Sequence, residues 1–382
     1  MNKFIYLDHA ATTFIKDDVL EEMKPYLIEN FGNPSSIYKL GRLNKISIEN
    51  SRLKVAEALH SQPDEIIFTS GGTESDNWAI KGIAYANKDK GNHIITTSIE
   101  HSAVKKCCEF LETQGFEITY LPVNEYGVIS LKDLKSSIKK NTILISIMFA
   151  NNEVGTIQPI KEIGNIAKER NIYFHTDAVQ VVGNIQLNVD EYNIDLLSLS
   201  AHKFYGPKGI GVLYIRNNTN IIQLLHGGTQ EFGFRAGTEN VANIIGLGKA
   251  IELSTRNIKS NSEKIMILKN KFISDILNTI PNSYLNGDIT NSLSGIVNFS
   301  FSNVNAKFLT SVLDQKGIFV SNGSACNCSK DNLSHVLLAM HKSNEIASSA
   351  IRFSFGEENT QDEINYVIQI LSDEVNKIRE NL

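Results

Sequence analysis

The sequence predicts an α/β protein: a large domain on a mostly parallel, mixed sheet with helices on both faces, joined to a smaller α+β domain. Three observations predict it. Short apolar runs of strand length alternate with helical patterns from Glu65 onward. After Ser262 that order changes to strands and helices in irregular succession. Polar residues suited to chemistry gather where the apolar runs of the first part end, the edge at which parallel sheets collect ligands.

The elements follow in order. Tyr6-Leu7 reads as a short opening strand, and Asp8 to Thr13 is a small-residue segment that lets other backbone approach. Helical patterns cover Asp17 to Asn30 and Ser36 to Leu59, parted by the turn Phe31-Gly32-Asn33-Pro34-Ser35. Strands are predicted at 65–69, 93–97, 117–121, 142–147, 173–176, 195–199 and 210–215, with helices at 73–85, 102–114, 131–139 and 160–170 between them. A glycine-punctuated loop, Phe232 to Asn240, leads to a helix ending near Ser254; the polar stretch Thr255 to Ser262 is the expected domain join, followed by a helix near 263–277. The remainder predicts strands at 296–301, near Phe319 and at 351–355, and helices at 306–315 and 361–378. The expected division is 14–256 for the large domain, with 1–13 and 257–382 forming the small one.

Composition narrows the function. The 382 residues, 42% of them apolar, suffice for a sizeable core. A net charge of −5 supplies no basic field, so neither direct nucleic-acid binding nor an anionic membrane is expected. The N-terminus reaches Asp8 before a signal-peptide core forms, and no apolar run approaches the roughly 18 residues of a spanning helix, so the expected location is the cytoplasm. Four cysteines are too few for a disulfide framework; Cys107, Cys108, Cys326 and Cys328 read as free thiols.

The chemistry centres on Ser200-Ala201-His202-Lys203, where a strand breaks into a Gly-Pro-Lys-Gly turn. A lysine partly desolvated there can lose its proton and form a Schiff base with an aldehyde cofactor, although a solvated hairpin lysine has the same spelling. Ser200 and His202 offer hydrogen bonds to an anionic tail. So does the strand-to-helix turn Ser70-Gly71-Gly72-Thr73, through free amides from Gly72 onward and the Thr73 hydroxyl; ordinary helix caps look alike. Asp177, set against a pyridine nitrogen, keeps the ring protonated as an electron sink, or else caps a turn; Gln180 could donate to the ring oxygen. His101 stands between strand and helix, where it could stack on a flat cofactor and move protons, and Asn152 is a further polar contact. Asn33 is a candidate ligand contact within its turn.

Arg352 projects from a strand and suits a carboxylate, whether a substrate's or a structural partner's. The run Ser321 to Ser329 reads as a mobile, exposed loop in which Cys326 could attack as the thiolate. An inert surface cysteine is one rival reading. A metal clip of Cys326, Cys328 and His335 is the other, and it is too incomplete to predict a metal.

Together these segments resemble the cysteine desulfurases of the NifS/IscS group, within the class V aminotransferase-like enzymes that use pyridoxal 5'-phosphate. The likeness runs through Tyr6-Leu7-Asp8-His9-Ala10-Ala11-Thr12-Thr13, Gly71 to Asn77, Glu100-His101, Asn151-Asn152-Glu153, His175-Thr176-Asp177, Ser200 to Lys203, Arg235 to Thr238, Gly323 to Cys326 and Arg352-Phe353-Ser354. It covers nearly the whole chain in order, which is far more specific than any single motif.

The resemblance implies a fold-type I transferase with Lys203 linked to the cofactor, Asp177 at the pyridine nitrogen, Gln180 at the ring oxygen and His101 stacked on the ring. It further implies that Thr73, Ser200 and His202 hold the phosphate, that Thr238 completes the neighbouring subunit's phosphate site in a homodimer, and that Arg352 and Asn33 bind the carboxylate of L-cysteine. Cys326 then takes the substrate sulfur as a persulfide, L-alanine leaves, and an acceptor protein receives the sulfur for iron–sulfur cluster assembly or tRNA thiolation. Relatives that feed an iron–sulfur scaffold often carry a longer tail than one ending at Leu382, which turns the expectation toward tRNA thiolation or another acceptor. Cys328 is an extra thiol beside the proposed nucleophile. The competing readings are selenocysteine lyase or a related enzyme on the same scaffold, and a non-catalytic sulfur or metal carrier built on Cys326 and Cys328.

Overall fold

The computed structural model describes residues 4–322 and 333–381. The chain opens with β1 (Ile5–Tyr6), α1 (Asp17–Ile28) and α2 (Lys39–Leu59). An alternating section follows: β2 (Ile66–Thr69), α3 (Gly72–Ala86), β3 (His93–Thr97), α4 (Ser102–Thr113), β4 (Glu117–Leu121), α5 (Leu131–Ser137), β5 (Thr142–Ser146), α6 (Ile160–Glu169) and β6 (Tyr173–Asp177). Next come β7 (Leu196–Ser200), a 3-10 turn (Ala201–Lys203), β8 (Gly211–Ile215), α7 (Val241–Arg256) and α8 (Ile258–Thr279). The last part holds β9 (Ser283–Asn286), β10 (Ile296–Phe301), α9 (Ala306–Gln315), β11 (Ile318–Phe319), α10 (His335–Ala339), α11 (Asn344–Ser348), β12 (Ala350–Ser354) and α12 (Gln361–Glu380).

Among the described residues the main sheet has the order β2-β8-β7-β6-β5-β3-β4. Its members from β7 to β4 are parallel, and β8 runs against both β7 and β2, so the sheet is mixed and mostly parallel as predicted. β5 and β7 are buried at every position, as strands covered by helices on both faces must be. The helices supply the matching stripes: α6 buries Ile160, Ile163, Gly164 and Ala167, a spacing that follows the helical period. Gly211 lets β8 close against the site-bearing turn, since a Cβ there would lie 2.6 Å from Leu199 O and 2.7 Å from Gly71 Cα.

A second core gathers Phe272, Phe299, Phe301, Phe353 and Leu371 with Ile5 and Leu7 from the chain start. It is built on the antiparallel order β12-β10-β9 and on β1 paired in parallel with β11. α12 is fastened there by a capping box between Thr360 and Glu363 and buries Ile364, Val367, Ile368, Leu371 and Val375. The return of β1 stretches Asp8 to Thr13 across to the main sheet, where the Thr13 N–H donates to His202 O at 2.8 Å.

Two local expectations change. The polar stretch 255–262 is helical on both sides of Asn257, with Arg256, Asn257, Lys259 and Ser260 exposed, so most of its polarity belongs to the outer faces of two helices that meet there. α2 begins at Lys39 rather than Ser36, since the Ser36 N–H is drawn into a turn with Asn33 O at 3.0 Å.

Candidate active site

The carboxyl ends of β2, β3, β5, β6 and β7 open onto a cavity of about 260 Å³, whose far wall is formed by Ala10, Ala11 and Arg352. Gly72, Thr73, His101, Asn152, Asp177, Gln180, Ser200, His202, Lys203 and Arg352 all line it. These residues come from segments scattered over most of the chain. The parallel strands bring their ends to one edge, so the strand-end residues converge.

One end of the cavity suits an anion. The first intrahelical bond of α3 runs from the Ser75 N–H to Gly71 O, so the amides of Gly72 and Thr73 lie ahead of the ladder with the helix dipole behind them. Gly72 is required by space: a Cβ there would sit 2.7 Å from Val179 Cγ2. The Ser200 and His202 side chains face the same cavity. His202 Nδ1 is 3.0 Å from Thr12 Oγ1, and burial, aided by the Lys203 and Lys208 charges, pushes its imidazole down to about 4, which keeps it neutral at pH 7.

The middle of the cavity carries the proton-handling groups. Asp177 is buried, its Oδ1 accepts the Val179 N–H at 2.9 Å, and burial raises its carboxyl while His101 and Lys203 pull it back. His101 caps α4: its Nδ1 accepts the Ala103 N–H at 3.2 Å, and burial lowers its affinity for a second proton. In the neutral ring the proton therefore sits on Nε2. Lys203 Nζ donates to Ala10 O at 2.6 Å and Ala11 O at 2.7 Å, and Gln180 Nε2 also donates to Ala10 O, at 2.9 Å.

Arg352 has the structural carboxylate partner that its sequence allowed. It lines the cavity, and its Nη2 is paired with Asp8 Oδ1 at 2.7 Å while Nη1 donates to Asn152 O at 2.9 Å. Its buried Nε has no hydrogen-bond partner among the described residues. Neighbouring Glu153 is pushed up to about 7 by burial, against the pull of Ser334 and Arg352; Ser334 Oγ donates to its Oε2 at 2.5 Å.

Of the other expected residues, Asn33 and Thr238 do not line this cavity. Asn33 is exposed and is not brought to this cavity, because its Oδ1 accepts the Ser35 N–H at 2.9 Å and closes a local turn. Thr238 is exposed on the loop that Arg235 ties to Glu74 at 3.0 Å, outside the cavity of its own protomer. Cys326 and Cys328 lie outside the described residues. His335, the third member of the clip considered above, instead donates from Nε2 to Glu100 O at 3.0 Å and lines the cavity.

Sequence reasoning passed over Asp76 and Glu153, which also line the cavity. Asp76 falls four residues after Gly72 and so on the same helical face, a spacing that could have marked it. Glu153 sits beside Asn152 in a segment already singled out.

Comparison with known proteins agrees with this geometry. Residues 5–367 match the family described as Aminotransferase class-V. The chain is 53% identical over 382 residues to "Cysteine desulfurase IscS" of Clostridium botulinum, covering 100% of this chain and 96% of that protein. A solved structure titled "NIFS-LIKE PROTEIN" superposes with a TM-score of 0.93 at 38% identity, covering 98% of this chain and 100% of the other. A second, titled "SspA in complex with cysteine", gives a TM-score of 0.82 at 39% identity over 93% of this chain and 100% of its own. A full-length match of this kind, on top of a cavity assembled from the expected residues, means that the chain belongs to the class-V aminotransferase family, in its cysteine desulfurase group.

Proposed function

We propose that this cysteine desulfurase holds pyridoxal phosphate through Lys203, binds L-cysteine through Arg352, collects its sulfur as a persulfide on Cys326 and releases L-alanine. The observation that carries the reading is that Lys203, Asp177, His101, Ser200 and Arg352 share one cavity. The residues present fit the cofactor. The glycine cradle at the start of α3 has no room for a side chain, and Asp76 Oδ1 is buried on the cavity wall without a hydrogen-bond partner among the described residues. When bound, the cofactor supplies an aldehyde for an amine and a protonated ring that accepts electron density from the substrate α-carbon.

The protein's own groups do the rest. The amides of Gly72 and Thr73, the hydroxyls of Thr73 and Ser200 and the imidazole of His202 hold the phosphate. The Asp177 carboxylate would keep the ring nitrogen protonated, Gln180 and Asn152 would serve the ring's polar groups, and His101 would pack against the ring. Arg352 takes the substrate carboxylate in exchange for Asp8. The Lys203 amine and His101 Nε2 are the groups available to move the α-proton. The Cys326 thiolate attacks the substrate sulfur: an S–S bond forms, the carbon–sulfur bond breaks, and its electron pair stays with the carbon that becomes the alanine methyl group.

A homodimer is part of this reading, with Thr238 of each subunit completing the other's phosphate site. Supporting it, Ile28, Phe31 and Ile37 are 75%, 76% and 88% exposed on and between α1 and α2. Arg52 of α2 is bonded to Glu231 on the loop that leads to Thr238, at 2.8 Å. Large side chains so exposed mark an association surface. The sulfur acceptor is read as an iron–sulfur scaffold or a tRNA-thiolation enzyme and the setting as the cytoplasm; among the described residues no helix is long and apolar enough to cross a membrane.

The test is Cys326→Ser. The variant should keep the cofactor's visible absorption and its change on adding cysteine, yet lose sulfide and alanine production. Undiminished sulfide release would remove Cys326 from the reaction. Borohydride reduction followed by peptide mass spectrometry should find the cofactor on Lys203 in both proteins.

A further inference from the structure

Besides Asp177 and Glu153, the cavity holds a third buried carboxylate, Asp76, to which the reaction described above gives no step. Asp76 is 1% exposed and Asp177 7% exposed, and one oxygen of each lies with a His101 nitrogen inside a triangle whose sides do not exceed 4.8 Å. Two carboxylates so close and so dry cannot both be ionised without a cation between them.

Their surroundings decide which one keeps the charge. Around Asp177, the Val179 N–H donates to Oδ1, and the positive charges available at His101 and Lys203 favour the anion. Asp76 has weaker support, a hydrogen bond from Ser198 with no cation beside it among the described residues. Its Oδ1 has no hydrogen-bond partner among the described residues, and the nearest basic group, His175 Nε2 at 3.6 Å, belongs to an imidazole that burial pushes down to about 3. Both His175 nitrogens are already engaged, Nδ1 with Ser146 Oγ at 2.9 Å and Nε2 with Ser198 Oγ at 3.0 Å. The other groups facing Asp76 are Glu100 before α4, which disfavours its anion, Cys107 of α4, whose thiol burial raises to about 12, and Ser198 of β7, whose hydrogen bond favours the anion.

We propose that Asp76 and Asp177 act as one proton-sharing carboxylate pair, with Asp76 the neutral acid and Asp177 the anion that faces the cofactor's ring nitrogen. The proposal rests on the reading in which that ring lies against Asp177. Asp76 is a positioning residue here: it holds the local charge at a single negative unit, so the ring nitrogen meets a carboxylate and never two. A second ionisation would overstabilise the ring proton, and a neutral pair would release it.

The experiment is infrared spectroscopy of the holoenzyme, unlabelled and with carboxyl-labelled aspartate, across neutral and alkaline pH. Labelling shifts aspartate bands away from those of Glu100 and Glu153. The wild type should show a labelled protonated-carboxyl stretch at pH 7 that Asp76→Asn loses and Asp76→Glu replaces by an unlabelled one. In Asp177→Asn the pH midpoint at which that stretch vanishes should fall by about one unit or more, the size of a strong like-charge interaction. Absence of any labelled protonated stretch in the wild type, or its survival in Asp76→Asn, overturns the sharing even if every variant must be discarded for poor folding. The cofactor's visible absorption separates the two layers. An Asp177→Asn spectrum identical to wild type overturns the ring placement and the proposal with it, whereas an altered spectrum with no carboxyl signal at Asp76 overturns the sharing alone.

Discussion

Replacing Glu231 by glutamine tests the buried tie that holds the loop before Thr238. Arg52 and Glu231 are 2% and 4% exposed, and the guanidinium gives two hydrogen bonds of 2.8 Å to the carboxylate. The same carboxylate takes the Phe68 N–H at 2.8 Å, and the ring centroids of Phe68 and Phe232 each lie 4.8 Å from the guanidinium carbon. Glutamine keeps the shape but turns one acceptor into a donor facing other donors. Removing one member of a buried pair costs about 3–5 kcal/mol. Glu49, 41% exposed and 3.1 Å from Arg52 Nε, compensates in part, so the expected loss is near the lower figure, about 3 kcal/mol. With a urea dependence of about 3 kcal/mol per molar, the unfolding midpoint should fall by about 1 M.

Trp78 is the sole tryptophan, buried in α3 with its Nε1–H bonded to Ile222 O at 2.8 Å, so its fluorescence reports this unfolding directly. Arg52→Met combined with Glu231→Met should recover part of the loss, because apolar replacement removes the stranded charge while the Phe68 N–H stays unpaired. A midpoint within about 0.2 M of wild type, or strictly additive single and double variants, would refute the reasoning.

Further outcomes follow from the site and its supports. Arg352→Lys keeps the charge but loses the planar fork, so kcat/KM for cysteine should fall on the order of 10- to 150-fold, about 1.5–3 kcal/mol, with the cofactor's absorption unchanged. Glu100 is fully buried, and its carboxyl is pushed from 4.5 up to about 8, mainly by burial. The folded state therefore binds the extra proton between those values, and stability should decline as pH rises through that window. Glu100→Gln should flatten the decline by on the order of 1.4 kcal/mol per pH unit, read from urea midpoints against pH. Gly211→Ala should lose stability toward the top of about 1–3 kcal/mol and weaken cofactor retention, because the new methyl would meet the backbone of Leu199 and Gly71 rather than a side chain that can yield.

The strand-end chemistry was legible in the sequence because it is local. A run of buried strand residues, a break and a polar side chain within a few positions suffice to single out Asp177, His101 and Lys203 and to place them at one edge of a parallel sheet. Asn33 shows the limit of that logic: the features that marked it, a polar residue in a Gly–Pro turn, are those of a side chain bonding its own backbone two residues on.

What the sequence determined by itself was the order and type of the elements in the alternating section and the identity of the groups at their ends, since hydrophobic period and turn chemistry are properties of neighbouring residues. The tertiary structure alone decided the long-range partnerships. Ile5 pairs with Ile318, which brings the carbonyls of Ala10 and Ala11 onto the Lys203 amine; Arg52 meets Glu231; and Asp76 turns inward against Asp177. Such pairs form only when separate elements pack. A carboxylate on a helix reads as an ordinary exposed polar residue until the strands beneath it are in place and water has been excluded from both sides.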